Sequence, residues 1–270
     1  MNEYIETNRR HWDELVPIHV RSAFYDVASF KAGRSTLTPI EREELGDVRG
    51  KSLLHLQCHF GMDSLSWARE GANVTGVDFS PEAVRVARDL AQELHLEAAF
   101  LESDVYKLPQ ALSGAFDIVF ASYGVICWLP DFPRWAQIAA SYVRPGGVFY
   151  LLDDHPAGSM LDDTAADGLR LRYPYFSADT PLTFEDDGSY ADRSAKLRNG
   201  RTYEFTYGLG EIVTSLAGAG LQIEFLHEFP YAGYQRLPQM QRGNDGFWRL
   251  PDNDSVPFLF SVKARKPRDA

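Results

Sequence analysis

Five short stretches carry residues whose types and spacing could hold and use a small polar ligand. The first is the turn QCHFGM at 57–62, which follows the apolar run SLLHL and leads into a helical pattern. Amides at a helix N-terminus hold an anionic or polar group, and Gly61 lets a backbone come close. The second is Asp78, at the end of NVTGVD. It lies about 20 residues past the turn, where a dinucleotide-type site places the acid that accepts from ribose hydroxyls. The third is SDVYKLP, where Asp104 can accept from an exocyclic amine and Val105 offers an apolar face to a ring. The fourth is Ser122–Tyr123 at the end of FDIVFAS, and the fifth is LLDDHP, with Asp153, Asp154 and His155. An imidazole with an ordinary pKa near about 6.5 takes a proton at neutral pH. Singly, each has a plainer explanation. A strand-end Asp is a cap or turn former, His59 caps the next helix, and His155 is a turn residue before Pro156. Structure alone does not demand that such groups stand at consecutive strand ends.

Those ends converge only if the strands run parallel, and the pattern between 51 and 150 says that they do. Strand-like runs at 52–56, 73–77, 98–101, 116–122 and 148–153 alternate with helix-like runs at 62–70, 80–94 and 132–143. Ser80 is an N-cap with Pro81 at the first helical position, and Gly71 ends the preceding helix. FDIVFAS is apolar on both faces, as a covered parallel strand must be. Strand–helix alternation gives a doubly wound α/β domain with right-handed crossovers, and ligands bind such sheets outside the carboxyl ends of the strands. RPGG at 144–147 reads as a turn. Residues 155–206 break the pattern and read as an insertion with short strands. A helix at 209–219 and strands at 221–227 and 257–264 then resume it, with 228–256 irregular. The first 45 residues read as one or two helical pieces anchored by Tyr4, Trp12, Phe24, Tyr25 and Phe30.

Composition narrows the classes. The 270 residues carry a formal net charge of −11, which argues against a general nucleic-acid binder because phosphate contacts need a basic surface. No stretch reads as a secretory leader or membrane span. The two cysteines, Cys58 and Cys127, have no CxxC spacing and read as buried thiols of a reducing compartment. The expectation is a cytoplasmic protein, monomer or homodimer, acting on a small molecule, with no nucleic-acid or membrane partner and no metal.

The run LLHLQCHFG…VTGVDFSPEAV…ESDVYKLP…FDIVFASYG…RPGG resembles the Rossmann-like class I S-adenosylmethionine-dependent methyltransferases, in a subgroup with a HLQCHFG first motif. The resemblance covers roughly 50–153 and extends to 209–264. It implies a mainly parallel seven-stranded sheet ending in an antiparallel strand pair, and S-adenosyl-L-methionine as cofactor. His55 stands where the family's first acid is common, Gln57 and His59 stand at two glycine positions, and Gly61 matches the last. The implied cofactor residues are Gln57, His59, Phe60, Gly61, Met62, Asp78, Phe79, Asp104, Val105 and Ser122. A nicotinamide dehydrogenase is disfavoured because Gly-x-Gly-x-x-Gly is absent. A nucleic-acid methyltransferase is disfavoured because SYGVICWLPD follows the fourth strand where Asn/Asp-Pro-Pro-Tyr/Phe would stand. The other open reading is a non-catalytic protein of the same fold that binds S-adenosylmethionine or S-adenosylhomocysteine.

The expected organisation is an N-terminal lid (1–45) with Gly33 as hinge, a cofactor-binding core (46–154), a substrate cap (155–206) and a C-terminal part of the core (207–270). Methyl transfer asks mainly for orientation and exclusion of water. If the nucleophile must lose a proton, His155 and Tyr123 are the catalytic candidates, with Trp128 and Asp154 also near the mouth and His227–Glu228 weaker.

Overall fold

The computed structural model describes residues 3–268. Three helices open the chain, α1 (Glu3–Arg21), α2 (Val27–Lys31) and α3 (Pro39–Leu45). Alternation follows through β1 (Ser52–Leu56), α4 (Met62–Arg69), β2 (Asn73–Asp78), α5 (Pro81–Glu93), β3 (Ala98–Glu102), the short α6 (Leu108–Ala111), β4 (Phe116–Ser122), α7 (Phe132–Tyr142) and β5 (Val143–Asp154). The insertion holds α8 (Pro156–Ser159) and an antiparallel pair, β6 (Leu182–Glu185) and β7 (Arg201–Glu204). Then come α9 (Leu209–Gly218), β8 (Gln222–Phe229), the two-residue strands β9 (Tyr231–Ala232), β10 (Gln241–Arg242) and β11 (Trp248–Arg249), and finally β12 (Leu259–Arg265).

Seven strands form one sheet in the order β3-β2-β1-β4-β5-β12-β8. The first five pair parallel, and β12 runs antiparallel to both β5 and β8. The order reverses between β1 and β4, which opens a crevice at their carboxyl ends. Alternation along the strands divides the core. Leu54, Leu56, Val119, Ala121, Phe149 and Leu151 face one way with α7 and α9. Leu53, Phe120, Tyr150 and Leu152 face the other way with Trp67 and Ile40. Trp135 of α7 is fully buried, and a large apolar side chain so placed contributes about 2–3 kcal/mol.

Local chemistry sets the helix starts. Ser80 accepts from the Ala83 N–H ahead of Pro81. Thr38 and Glu41 form a reciprocal capping box at α3. Three expectations needed correction. The arm holds three helices. RPGG lies within β5, where the five steps from Val143 to Val148 stand against the two steps from Phe116 to Ile118 of β4, so the expected turn is a local loop-out inside the strand, with Gly146 left-handed. Residues 228–256 carry a small β10-β11-β9 sheet whose two-residue strands are too short to show alternation. No described helix is long and apolar enough to cross a membrane.

Candidate active site

The first turn has an unusual backbone. Gln57 (φ 56°), His59 (φ 50°) and Gly61 (φ 80°) are all left-handed. For a side-chain-bearing residue this conformation costs about 1–2 kcal/mol. Contacts on every side hold it. The Gln57 amide donates to the Val125 carbonyl at 3.1 Å and accepts from Trp135 Nε1 at 3.0 Å. The His59 N–H donates to Asp78 Oδ2 at 2.8 Å. Phe60 and Met62 are buried against Ala83, Ala87 and Phe100. At Gly61 a Cβ would lie 2.8 Å from Phe100 Cε1 and 2.9 Å from the Ala87 Cβ. The chain's own β3 and α5 therefore already require glycine here. His55 is buried and bonds Ser64 Oγ through Nδ1 at 2.8 Å. Burial pushes its pKa down to about 3, so no charge stands there at neutral pH.

Asp78 ends β2, 6% exposed. Its two oxygens accept from the His59 and Ser80 N–H groups at 2.8 and 2.9 Å. Burial pushes the carboxyl up to about 6, against the pull of these two bonds. Each oxygen keeps a lone pair for a further donor. Phe79 packs against the cluster that holds Val77 and Val105. Asp104 accepts from the Tyr106 N–H at 3.0 Å and so starts a single 3₁₀ turn, Val105–Lys107. At the end of β4, the Ser122 hydroxyl donates to Asp63 Oδ2 at 3.1 Å, and Thr36 donates to the other Asp63 oxygen at 2.5 Å.

Helix α1 crosses this crevice. Its Asp13 accepts from Ser80 Oγ at 2.6 Å. Its Trp12 ring stands edge-on to His59 (5.2 Å between centroids) and Trp128 (5.3 Å). Its His19 is fully buried, with Nδ1 2.9 Å from His59 Nε2. Burial pushes the pKa of both histidines down, so the pair is neutral. Tyr25, just after α1, packs on Phe60 and bonds the Tyr190 hydroxyl of the insertion. Gly33 has φ 111° and open space around it. Sequence reading gave Trp12 only as an anchor and missed His19. The available signal was the spacing of Asn8, His11 and His19, which at helical period share a face with Ile5 and Leu15.

The side chains of the two candidate catalytic residues bond different partners. Tyr123 (φ 45°) points into the arm, where its hydroxyl donates to Glu41 Oε2 at 3.1 Å and meets Thr38 Oγ1 at 3.1 Å. His155 is 3% exposed and caps α8. Its Nδ1 accepts from the Ala157 N–H at 3.0 Å, which leaves Nε2 to donate to Glu228 at 2.8 Å. Both ring nitrogens are committed, and burial pushes the pKa down. The geometry matches the plainer explanation, a residue that shapes the turn before Pro156. Asp153 accepts the N–H groups of Gly124, Val125, Ile126 and Asp154 and so fixes the loop after β4. Beyond it, Asp154 pairs with Arg236 at 2.8 Å. Neither Arg236 nor the nearby Glu204 stood out in sequence, because both lie in segments without a regular period.

Comparison with known proteins shows what the chain is similar to. Residues 53–147 match the model of a methyltransferase domain. Over 120 residues the chain is 37% identical to the ubiquinone biosynthesis O-methyltransferase of Cronobacter sakazakii, covering 44% of this chain and 49% of the relative. The chain thus spans about half the length of the curated relatives that it matches. Among solved structures, an S-adenosylmethionine-dependent methyltransferase from Mesorhizobium loti superposes with a TM-score of 0.61 at 21% identity, over 87% of this chain and all (100%) of the other. The [4+2]-cyclase SpnF superposes with a TM-score of 0.50 at 18% identity, over 89% of this chain and 80% of the other. The fold is thus the one those S-adenosylmethionine-dependent methyltransferases share, and the match to the methyltransferase-domain model lies in its cofactor-side half, β1 to β5.

Proposed function

We propose that the protein transfers a methyl group from S-adenosylmethionine to an oxygen of a small molecule. One observation carries the reading: the backbone is left-handed at 57, 59 and 61, the positions where the family that it resembles has the glycines of its first motif. Strain of this kind persists where its surroundings over-determine it, typically at ligand sites. The donor set suits the cofactor. Asp78 retains lone pairs for ribose hydroxyls, Val105 and Phe79 offer apolar faces to the adenine, and Asp104 can accept from its amine. When bound, the cofactor supplies a methyl group already activated on a sulfonium.

The chain's own work is binding, orientation and exclusion of water. Helix α1 and Tyr25 close over the first turn as a lid, and the insertion caps the acceptor. Gln57 and Asp153 hold the loop after β4, which forms the wall between the two ligands. Ser122, Tyr123 and His155 act as positioning residues. The oxygen acceptor follows the O-methyltransferase relatives.

The second reading is a protein of this fold that binds the cofactor without methyl transfer, and the cyclase neighbour shows that the fold also carries other chemistry. Incubation with methyl-tritiated S-adenosylmethionine and a small-metabolite extract separates them. Label should pass to an organic-soluble product as an ether. Tight S-adenosylhomocysteine binding with no labelled product in any fraction would favour the second reading.

A further inference from the structure

A second group of charged residues gathers where β5, the loop after β4, β7 and the segment after β9 meet. Asp154 Oδ2 lies 2.8 Å from Arg236 Nη1 and 3.5 Å from the Tyr234 hydroxyl. Arg236 Nη2 reaches Ser159 Oγ at 3.3 Å, while Nη1 is buried and, despite that ion pair, lacks an aligned hydrogen bond. Glu204 interacts electrostatically with Arg236, Asp154 and Asp163, and with Cys127 of the loop after β4. The Phe205 N–H donates to the Cys127 carbonyl at 2.7 Å, which ties the end of β7 to that loop.

Strand alternation aims Glu204 at this group. Tyr203 and Phe205 pack their rings on Tyr4 of α1, so Glu204 between them faces the other way. Its carboxylate makes no hydrogen bond or ion pair among the described residues, although it is half-buried. No Glu204 oxygen is sealed from solvent, so the carboxylate stays open to a donor that enters from outside the chain. Tyr234 adjoins Tyr190, which adjoins His19 over the first turn (6.4 and 4.8 Å between ring centroids), so an aromatic wall connects the group to the cofactor crevice.

We propose that Glu204 is the general base of the reaction and that its partner is the hydroxyl of a phenolic acceptor seated against Tyr190 and Tyr234, with Arg236 beside it to hold an anionic substituent. This rests on the methyltransferase reading above. As the acceptor oxygen bonds to the methyl carbon, the methyl carbon–sulfur bond breaks and its electron pair stays on sulfur. The hydroxyl proton passes to the Glu204 carboxylate and then to water. Burial pushes Glu204 up to about 7. A base so tuned takes a phenol's proton more readily than an ordinary carboxylate and is still ionised in part at neutral pH.

The test has two arms. In the first, glutamate is labelled with ¹³C at the side-chain carboxyl, and the resonance absent from Glu204→Gln is followed against pH. A midpoint near 7 supports the assignment; a midpoint in the ordinary range near 4 overturns it. In the second, wild type, Glu204→Gln and Glu204→Asp are assayed with phenol, catechol and 4-hydroxybenzoate, and titrated with S-adenosylhomocysteine. The proposal expects S-adenosylhomocysteine affinity within about threefold in all three proteins. It expects turnover lowered about 100-fold or more in Glu204→Gln, the usual scale of general-base catalysis, and partial recovery in Glu204→Asp. S-adenosylhomocysteine binding with no turnover of any phenol, or with undiminished turnover in Glu204→Gln, overturns the inference and leaves the cofactor site standing. No S-adenosylhomocysteine binding by the wild type overturns both.

Discussion

The pH dependence of S-adenosylhomocysteine binding should report Asp78 directly. Ribose hydroxyls donate to this side chain, so the ligand needs the ionised carboxylate. Burial sets its pKa at about 6 in the free protein. At pH 5 only about one molecule in eleven is then ionised, against nearly all at pH 7.5, so affinity should fall about tenfold, or about 1.4 kcal/mol. The sign follows from the ligand preferring the deprotonated form, so binding strengthens as pH rises through 6 and releases a proton below it. The nearby histidines do not imitate this, because burial keeps His19 and His55 neutral down to about 3 and holds His59 well below its ordinary value. Glu41 and Glu204, both pushed up to about 7 by burial, do titrate near this window. Asp78→Asn separates them. Losing a hydrogen bond to a charged group costs about 1.5–3 kcal/mol, so this variant should bind at least about tenfold more weakly at pH 7.5, with the slope between pH 5 and 7.5 gone. Isothermal titration at pH 5, 6 and 7.5, in two buffers of different ionisation heat, measures affinity and proton release together. A flat affinity in the wild type, or the same slope in Asp78→Asn, would refute the reasoning.

Three further outcomes are expected. Burial raises Glu41 from 4.5 to about 7, so the folded state holds its proton more tightly than the unfolded chain. Its contribution to stability is present below pH 4.5 and lost as pH rises through 7. Glu41→Gln, which can keep the capping box, should gain up to about 3 kcal/mol at pH 8 and nothing at pH 4 in urea unfolding. Gly61→Ala combines a left-handed φ with contacts under 3 Å at Phe100 and Ala87, and should lose about 2–4 kcal/mol by the same measurement. His155→Ala removes the cap of α8 and the Glu228 bond, and should lower stability by about 1 kcal/mol while turnover falls less than about tenfold, in contrast to loss of a base.

The sheet was legible because its signals are local. FDIVFAS needs both faces covered, and the observed β4 occupies those residues. Ser80–Pro81 announces α5 by cap chemistry alone. The strand-end acids were legible for the same reason: β2 places Asp78 at its last residue. What sequence could not supply was the direction of each side chain's commitments. Gln57 looks like a ligand-facing amide, but it bridges Val125 and Trp135, 68 and 78 positions away. His155 looks like a free base, but Glu228, 73 positions on, occupies it. Gly61 looks like a residue that only a ligand would need, but Phe100 and Ala87 already require it. Glu204 was illegible because its neighbours come from four separate segments, and the four-residue β7 is too short to show a period.

A structure of the complex with S-adenosylhomocysteine tests the central claim most directly. The account predicts the ribose hydroxyls on the Asp78 carboxylate, the adenine against Val105 with its amine toward Asp104, and the homocysteine sulfur facing the crevice between the ends of β4 and β5. It also predicts Trp12 of α1 in contact with the bound ligand. Ligand bound elsewhere, or no bound ligand at saturating concentration with the 57–61 turn unchanged, would contradict it.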